Sequence, residues 1–245
     1  MTSLPLYGAI ALQFIDTVVE LAFIVNFVGW NHSRAGKEFF VSYQGSEFSL
    51  NGKPLNYLVD QGHTANGAAG TSIVVIGVGG ALALYLRRRQ LKHNNELRGF
   101  TKFLYNFWLY MTAITAVFTI AAFVYLFVVT YQHAGQHIDL GIASQLNNQP
   151  YPGNVPYPKN TWTPQNWFPA MLELDLVSAH DRSDIKFHVA LIKGWQWNLI
   201  PMVILSIITA VLAFIDKKRH DQGINRSNGA SRLEAARKKS GSPYS

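Results

Sequence analysis

Cysteine is absent from this chain of 245 residues. That excludes disulfides, thiolate metal sites, cysteine nucleophiles and cysteine lipidation. Charge is also scarce. Asp, Glu, Lys and Arg make up 14% of the chain, against about a quarter in a soluble domain. Motifs that would name a reaction are missing too. Gly77-Val78-Gly79-Gly80 lies inside an apolar stretch, with no strand before it and no P-loop lysine after it, so it is not a nucleotide loop. Asp181, Asp184 and His188 are close in sequence, but no nucleophile elbow accompanies them, and they read as a polar segment that starts a helix. No internal repeat is evident, and nothing in the pattern calls for a cofactor.

What the chain has instead is apolar residues, 49% of it, gathered into long runs. A helix needs about 20 such residues to cross a bilayer core. Four runs qualify: 6–30, 65–86, 103–131 and 197–215. The third is long enough to tilt or to project. The first lacks a basic leader and a small-residue cleavage site and is too long for a signal peptide, so it reads as an uncleaved anchor. The expected fold class is therefore all-α. A four-transmembrane-helix bundle occupies 1–219, with outer loops at 31–64 and 132–196 and a cytosolic loop at 87–102. A disordered basic tail is expected at 220–245, where Ser, Gly, Arg and Lys dominate.

The net charge of +7 would first suggest nucleic acid, but its placement points elsewhere. Arg87, Arg88, Arg89, Lys92, Arg98 and Lys102 lie between runs two and three. Lys217, Lys218, Arg219, Arg226, Arg232, Arg237, Lys238 and Lys239 follow run four. Together they are fourteen of the 21 Lys and Arg residues. The positive-inside rule then puts that loop and both termini in the cytosol, in the plasma membrane or an endomembrane. The partner for this charge is anionic inner-leaflet lipid, not nucleic acid. Trp30, Trp195 and Trp197 fall at the outer edges, where indole rings prefer the interface.

The first outer loop reads as β structure. Phe39–Tyr43 and Phe48–Leu50 are strand candidates, Asn51-Gly52 is a two-residue hairpin turn, and 53–59 a returning strand. In the second loop Pro150, Pro152, Pro156 and Pro158 predict an extended stretch. Thr163-Pro164 then opens a helix with Trp167, Phe168, Met171 and Leu172 on its apolar face, able to lie on the membrane or cap the bundle. A further helix runs from about Asp181 into span four, kinked or restarted at Pro201. The sequon at Asn31 sits against the membrane, and the one at Asn225 lies in the tail.

Three constellations could carry function. Gln13, Asp16, Thr17 and Glu20 share one helical face at the middle of span one. An ionised carboxylate there costs about 2.5–3.5 kcal/mol. No Lys, Arg or His lies at the centre of another span to pair with it. The acids are then neutral, watered by a cavity, bound to a cation or docked on another chain; otherwise they form a packing seam with Thr112, Thr115, Thr119 and Asn198. Second, His133 and His137 are four residues apart beyond span three, and His63 precedes span two. A continuing helix would let them chelate Zn or Cu, although the HxxxH spacing lacks the glutamate of HExxH. Interfacial polar residues are the plainer reading of the three histidines. Third, Gly77–Ala81 and Gly79–Ala83, with Gly80 between, are small-xxx-small pairs for close helix packing, against the chain's own spans or in a homo-oligomer.

Thr161-Trp162-Thr163-Pro164-Gln165-Asn166-Trp167-Phe168 and Lys193-Gly194-Trp195-Gln196-Trp197-Asn198-Leu199-Ile200-Pro201 resemble segments of uncharacterised four-span membrane proteins of filamentous fungi. The resemblance covers the last third of the chain and implies no known activity. The layout is also similar in architecture to the claudin-type tetraspans, with a β-rich first outer loop. It departs from them in lacking that loop's paired cysteines and in having the longer second loop. The leading expectation is a non-enzymatic four-span protein that organises or adapts other membrane proteins. The alternatives are a proton- or cation-handling carrier or channel component built on Asp16 and Glu20, and a membrane metalloenzyme built on the outer histidines.

Overall fold

In the first helix, α1 (Leu4–Ser33), the residues Leu6, Ile10, Gln13, Thr17, Glu20, Ile24 and Phe27 are all buried. They recur at steps of four and three, the spacing that keeps one helical seam turned to its neighbours. The computed structural model, which describes residues 4–94, 97–146, 148–152 and 162–240, packs that seam into a four-helix bundle. A hairpin of β1 (Glu38–Tyr43) and β2 (Ser46–Asn51) follows α1. The second span is one continuous helix in three parts: α2 (Asp60–Ser72), a π-helical segment (Ile73–Gly79) and α3 (Gly80–Asn94). Then come α4 (Gly99–Gln132), two short helices, α5 (Leu140–Leu146) and α6 (Pro164–Leu172), and α7 (Ala179–Ser240). Among the described residues, four helices are long and apolar enough to cross a membrane. Leu12, Ile15 and Val25 of α1, Ile114 and Val117 of α4, and Ile204 and Val211 of α7 stay exposed on the outside of the bundle. So broad an apolar surface suits hydrocarbon and not water.

The buried interior divides into three layers. Near the hairpin, Ile24, Phe27, Ala122, Leu126, Leu199 and Met202 join one apolar cluster. Near the basic loop, Leu6, Ile10, Ile76, Leu84, Leu109 and Ala213 form another. Between them lie buried polar side chains from every span: Gln13, Thr17 and Glu20, then Ser72, then Thr112, Thr115 and Thr119, then Ser206 and Thr209.

The hairpin end is a folded cap. Strands β1 and β2 pair antiparallel around Gln44-Gly45, both at positive φ, the conformation two-residue hairpin turns require. Asn51-Gly52 is therefore not the turn. It follows β2, where the Gly52 amide donates to the Lys37 carbonyl at 2.7 Å and a Cβ on Gly52 would stand 2.0 Å from the Ala35 carbonyl oxygen. The glycine signal marks a close backbone approach. Residues 53–59 are not a returning strand either: Leu55 and Leu58 donate to the carbonyls of Tyr151 and Trp162. The free edge of β1 is covered by residues 175–177, through Ser42 to Asp175 and Val177 to Phe40.

Helix α6 caps the bundle, with Trp167, Phe168 and Met171 fully buried. Thr163 holds the N-cap position and Pro164 opens the helix, but the threonine side chain makes no capping bond. Pro150 and Pro152 lie in irregular chain, and Pro156 and Pro158 fall outside the described residues. Helix α7 neither breaks nor restarts at Pro201 and continues to Ser240. Such a proline is tolerated within a span where the freed backbone group is satisfied locally. The expected disorder from residue 220 is thus replaced by helix over the described part of the tail; Ala230, Leu233, Glu234, Ala235 and Ala236 are good helix formers.

Candidate functional site

The polar middle layer is built around Gln13. Its amide nitrogen donates to Ser72 Oγ at 2.9 Å and to Ser206 Oγ at 2.8 Å, tying the first, second and fourth spans together. Thr17 donates to the Gln13 carbonyl at 2.6 Å. Thr112 and Thr119 return their hydroxyls to carbonyls of their own helix, at Leu109 and Thr115. These two therefore do not serve the carboxyls of α1. Asn198 does approach them: its amide lies beside the Glu20 carboxyl but points to the Asp16 carbonyl at 3.3 Å. Among the described residues neither oxygen of fully buried Glu20 completes a hydrogen bond. Nor do Gln13 Oε1, Asp16 Oδ2, Thr115 Oγ1 or Thr209 Oγ1. Asp16 differs from Glu20 in position. It sits at the α1–α7 edge, half-buried, beside the exposed side chains of Leu12, Ile15 and Val19.

The small residues of the second span pack inside the chain. A Cβ on Gly77 would stand 2.4 Å from the Phe14 ring, and one on Gly80 would stand 3.2 Å from the Trp108 ring. Gly79 is half-buried against Trp108, Ala83 is buried and Ala81 faces outward. The π-helical segment contributes as well: the Val75 carbonyl accepts from Trp108 Nε1 at 3.1 Å. On the outer side, α1 and α3 leave an apolar groove of about 1160 Å³ that passes Phe14 and Gly77 and ends at Tyr85 and Arg88.

The histidines are not brought together. Helix α4 stops at Gln132 and Gly135 takes a positive φ, so the expected shared helical face of His133 and His137 does not form. His133 Nδ1 bonds the Val129 carbonyl, while His137 Nδ1 pairs with Glu173, both at 2.8 Å. His63 lines a different pocket, near His32. Among the described residues no group of three or more His, Asp or Glu is placed to hold a metal.

Two further polar clusters stand outside the three constellations read from the sequence. At the hairpin end, Trp30 donates to Asp184 Oδ2 at 2.7 Å and stacks on His188 with centroids 4.1 Å apart. Arg34 pairs with Asp181. The segment 181–188 thus fastens α7 to the end of α1. At the basic end, Arg87 is almost fully buried. It pairs with Asp216, bonds the Tyr105 hydroxyl at 3.0 Å and stacks on that ring. Helical spacing does hint at it: Arg87 stands three and four residues after Leu84 and Ala83, on the buried face.

No protein family, curated protein or solved structure matches this chain.

Proposed function

We propose that this is a non-enzymatic four-span membrane protein that organises or adapts other membrane proteins, and that it docks a partner span along the α1–α7 edge. The observation that carries this reading is Asp16, an acid in the middle of a span left half-open on a surface that is otherwise apolar. Mid-span acids are costly in lipid, and facing a polar group on another chain offsets that cost. The basic loop and tail are assigned to the cytosol, against anionic inner-leaflet lipid, by the positive-inside rule. A photo-crosslinking residue at Leu12, one helical turn from Asp16 and exposed, with one at Val117 as a control, tests the docking. The expected result is an adduct with a membrane protein, or with a second copy, at Leu12 alone, and its loss in Asp16→Ala. Lipid adducts at both positions would overturn the proposal.

Glu20 favours a second reading, proton or cation handling. Its carboxyl is fully buried in the polar layer without a completed hydrogen bond among the described residues. Purified protein in liposomes should then pass protons or monovalent cations at a rate that Glu20→Gln abolishes without changing assembly. Flux indistinguishable from empty liposomes would remove this reading and leave the docking proposal standing.

A further inference from the structure

The groove between α1 and the second span, about 1160 Å³ in volume, is larger than the range of about 300–1,000 Å³ for small-molecule sites. It stays open because three of its lining residues are small: Ala11, Gly77 and Ala81. It covers one half of the bundle's depth. Among the described residues its lining runs only from Tyr7 to Ile15 on α1 and from Gly77 to Arg88 on the second span. One end thus lies at Phe14, next to Gln13 of the polar layer, and the other at the basic loop. Gly77 and Arg88 are eleven residues apart, a rise of about 16 Å. One leaflet of a hydrocarbon core about 30 Å thick is about 15 Å deep. The groove therefore has the length of one leaflet, with Arg88 at the depth of the headgroups.

The two ends of the groove differ in chemistry. The deeper part is hydrocarbon, from Phe14, Val78 and Leu82. The shallow end carries the phenols of Tyr7 and Tyr85 and the guanidinium of Arg88. Lys92 follows Arg88 by four residues, on the same helical face. Both cations are exposed, and neither has a hydrogen bond or ion pair among the described residues. No Asp or Glu is among the described residues that line the groove. A guanidinium matches a phosphate with paired donors, and a phenol can add one more. Two such cations favour a headgroup of net negative charge over a zwitterionic one. A sterol would fill the apolar part and leave both cations unanswered. A helix that crosses the bilayer would need a groove about twice as long. A second copy inserted in the same sense would also set two basic ends side by side, which like charges oppose.

We propose that this groove binds one anionic glycerophospholipid from the leaflet on the basic side. An acyl chain lies along Ala11, Gly77 and Ala81, and Arg88 and Tyr85 hold the phosphate with Lys92 beside it. The site is independent of the partner docking assigned to the α1–α7 edge. The detergent-purified full chain is titrated with defined lipids, and the complexes are read by native mass spectrometry. The probes are dioleoylphosphatidylglycerol, dioleoylphosphatidylcholine, dioleoylglycerol and cholesterol. The expected result is one phosphatidylglycerol held per chain, about tenfold tighter than phosphatidylcholine, the worth of one charged hydrogen bond. Arg88→Gln should abolish that preference. Lys218→Gln removes an exposed charge at the same end but outside the groove, and should leave the preference intact. Ala11→Leu and Ala81→Leu fill the groove from exposed positions on either helix. Each should weaken both phospholipids about tenfold with an unchanged melting temperature. Equal affinity for the two phospholipids would overturn the proposal. So would equal effects of Arg88→Gln and Lys218→Gln, which would mark attraction to the basic surface at large, or affinities unmoved by both leucine variants. Tighter binding of cholesterol or dioleoylglycerol, or a dimer that Ala81→Leu dissolves, would assign the groove to another occupant and overturn it as well.

Discussion

Arg87 and Asp216 are both almost fully buried and both ionisable, and they face each other across α3 and α7. Removing one member of such a pair strands the other charge at a cost of about 3–5 kcal/mol, whereas replacing both with apolar residues is close to neutral. Arg87→Leu is expected to lower the melting temperature sharply in detergent, and Arg87→Leu with Asp216→Leu to recover most of the loss. A double variant as unstable as the single would refute the account. Tyr57 makes a prediction in pH. Burial raises its phenol above the unfolded value of 10.0, so its contribution is intact below pH 10 and fades as pH climbs toward the raised folded-state value. Melting temperature measured between pH 8 and 11 should fall at the alkaline end, and Tyr57→Phe should flatten part of that fall.

At the scale of elements, the contact between the first two spans depends on the absence of side chains. Gly77 admits the Phe14 ring, while Gly70 has nothing within 4 Å of a would-be Cβ. Overpacking typically costs about 1–3 kcal/mol. Gly77→Val should therefore lower thermal stability measurably, and Gly70→Val should leave it unchanged. The hairpin offers a comparable contrast. Gly45 stands at φ 78° with open space around it, so Gly45→Ala should cost only the conformational penalty, about 1–2 kcal/mol. Gly52→Ala would drive a methyl into the Ala35 carbonyl and should prevent the cap from closing. Limited proteolysis of the segment after β2 would report that opening.

For the molecule as a whole, the polar layer lies between two apolar clusters, one toward each end. A group such as Glu20 is thereby kept from both faces unless the helices move. The proposed orientation can be checked cleanly because the chain has no cysteine. Lys92→Cys should react with an impermeant thiol reagent only after cells are opened, and Lys37→Cys in intact cells. The reverse pattern would invert the proposed topology.

The number of spans and the all-α class were legible in the chain itself, because twenty apolar residues in a row have few stable alternatives to a bilayer helix. The burial of Gln13, Thr17 and Glu20 follows the periodicity of their apolar neighbours, whereas Asp16, expected on the same face, sits half-buried at its edge. What the sequence could not fix was which partner each of these residues meets. The hairpin turn fell on Gln44-Gly45 because register is decided by what β1 packs against, while Asn51-Gly52 served a tight backbone crossing. His133 and His137 parted because the helix ended at Gln132. Arg87 counted as one more charge in a basic run until α7 brought Asp216 to it. The pocket that His63 lines joins residues up to 171 positions apart, from Ile24 to Trp195. Local periodicity decides which face of a helix is buried, but only tertiary packing decides what that face touches, because those contacts are made between segments whose separation along the chain carries no pattern.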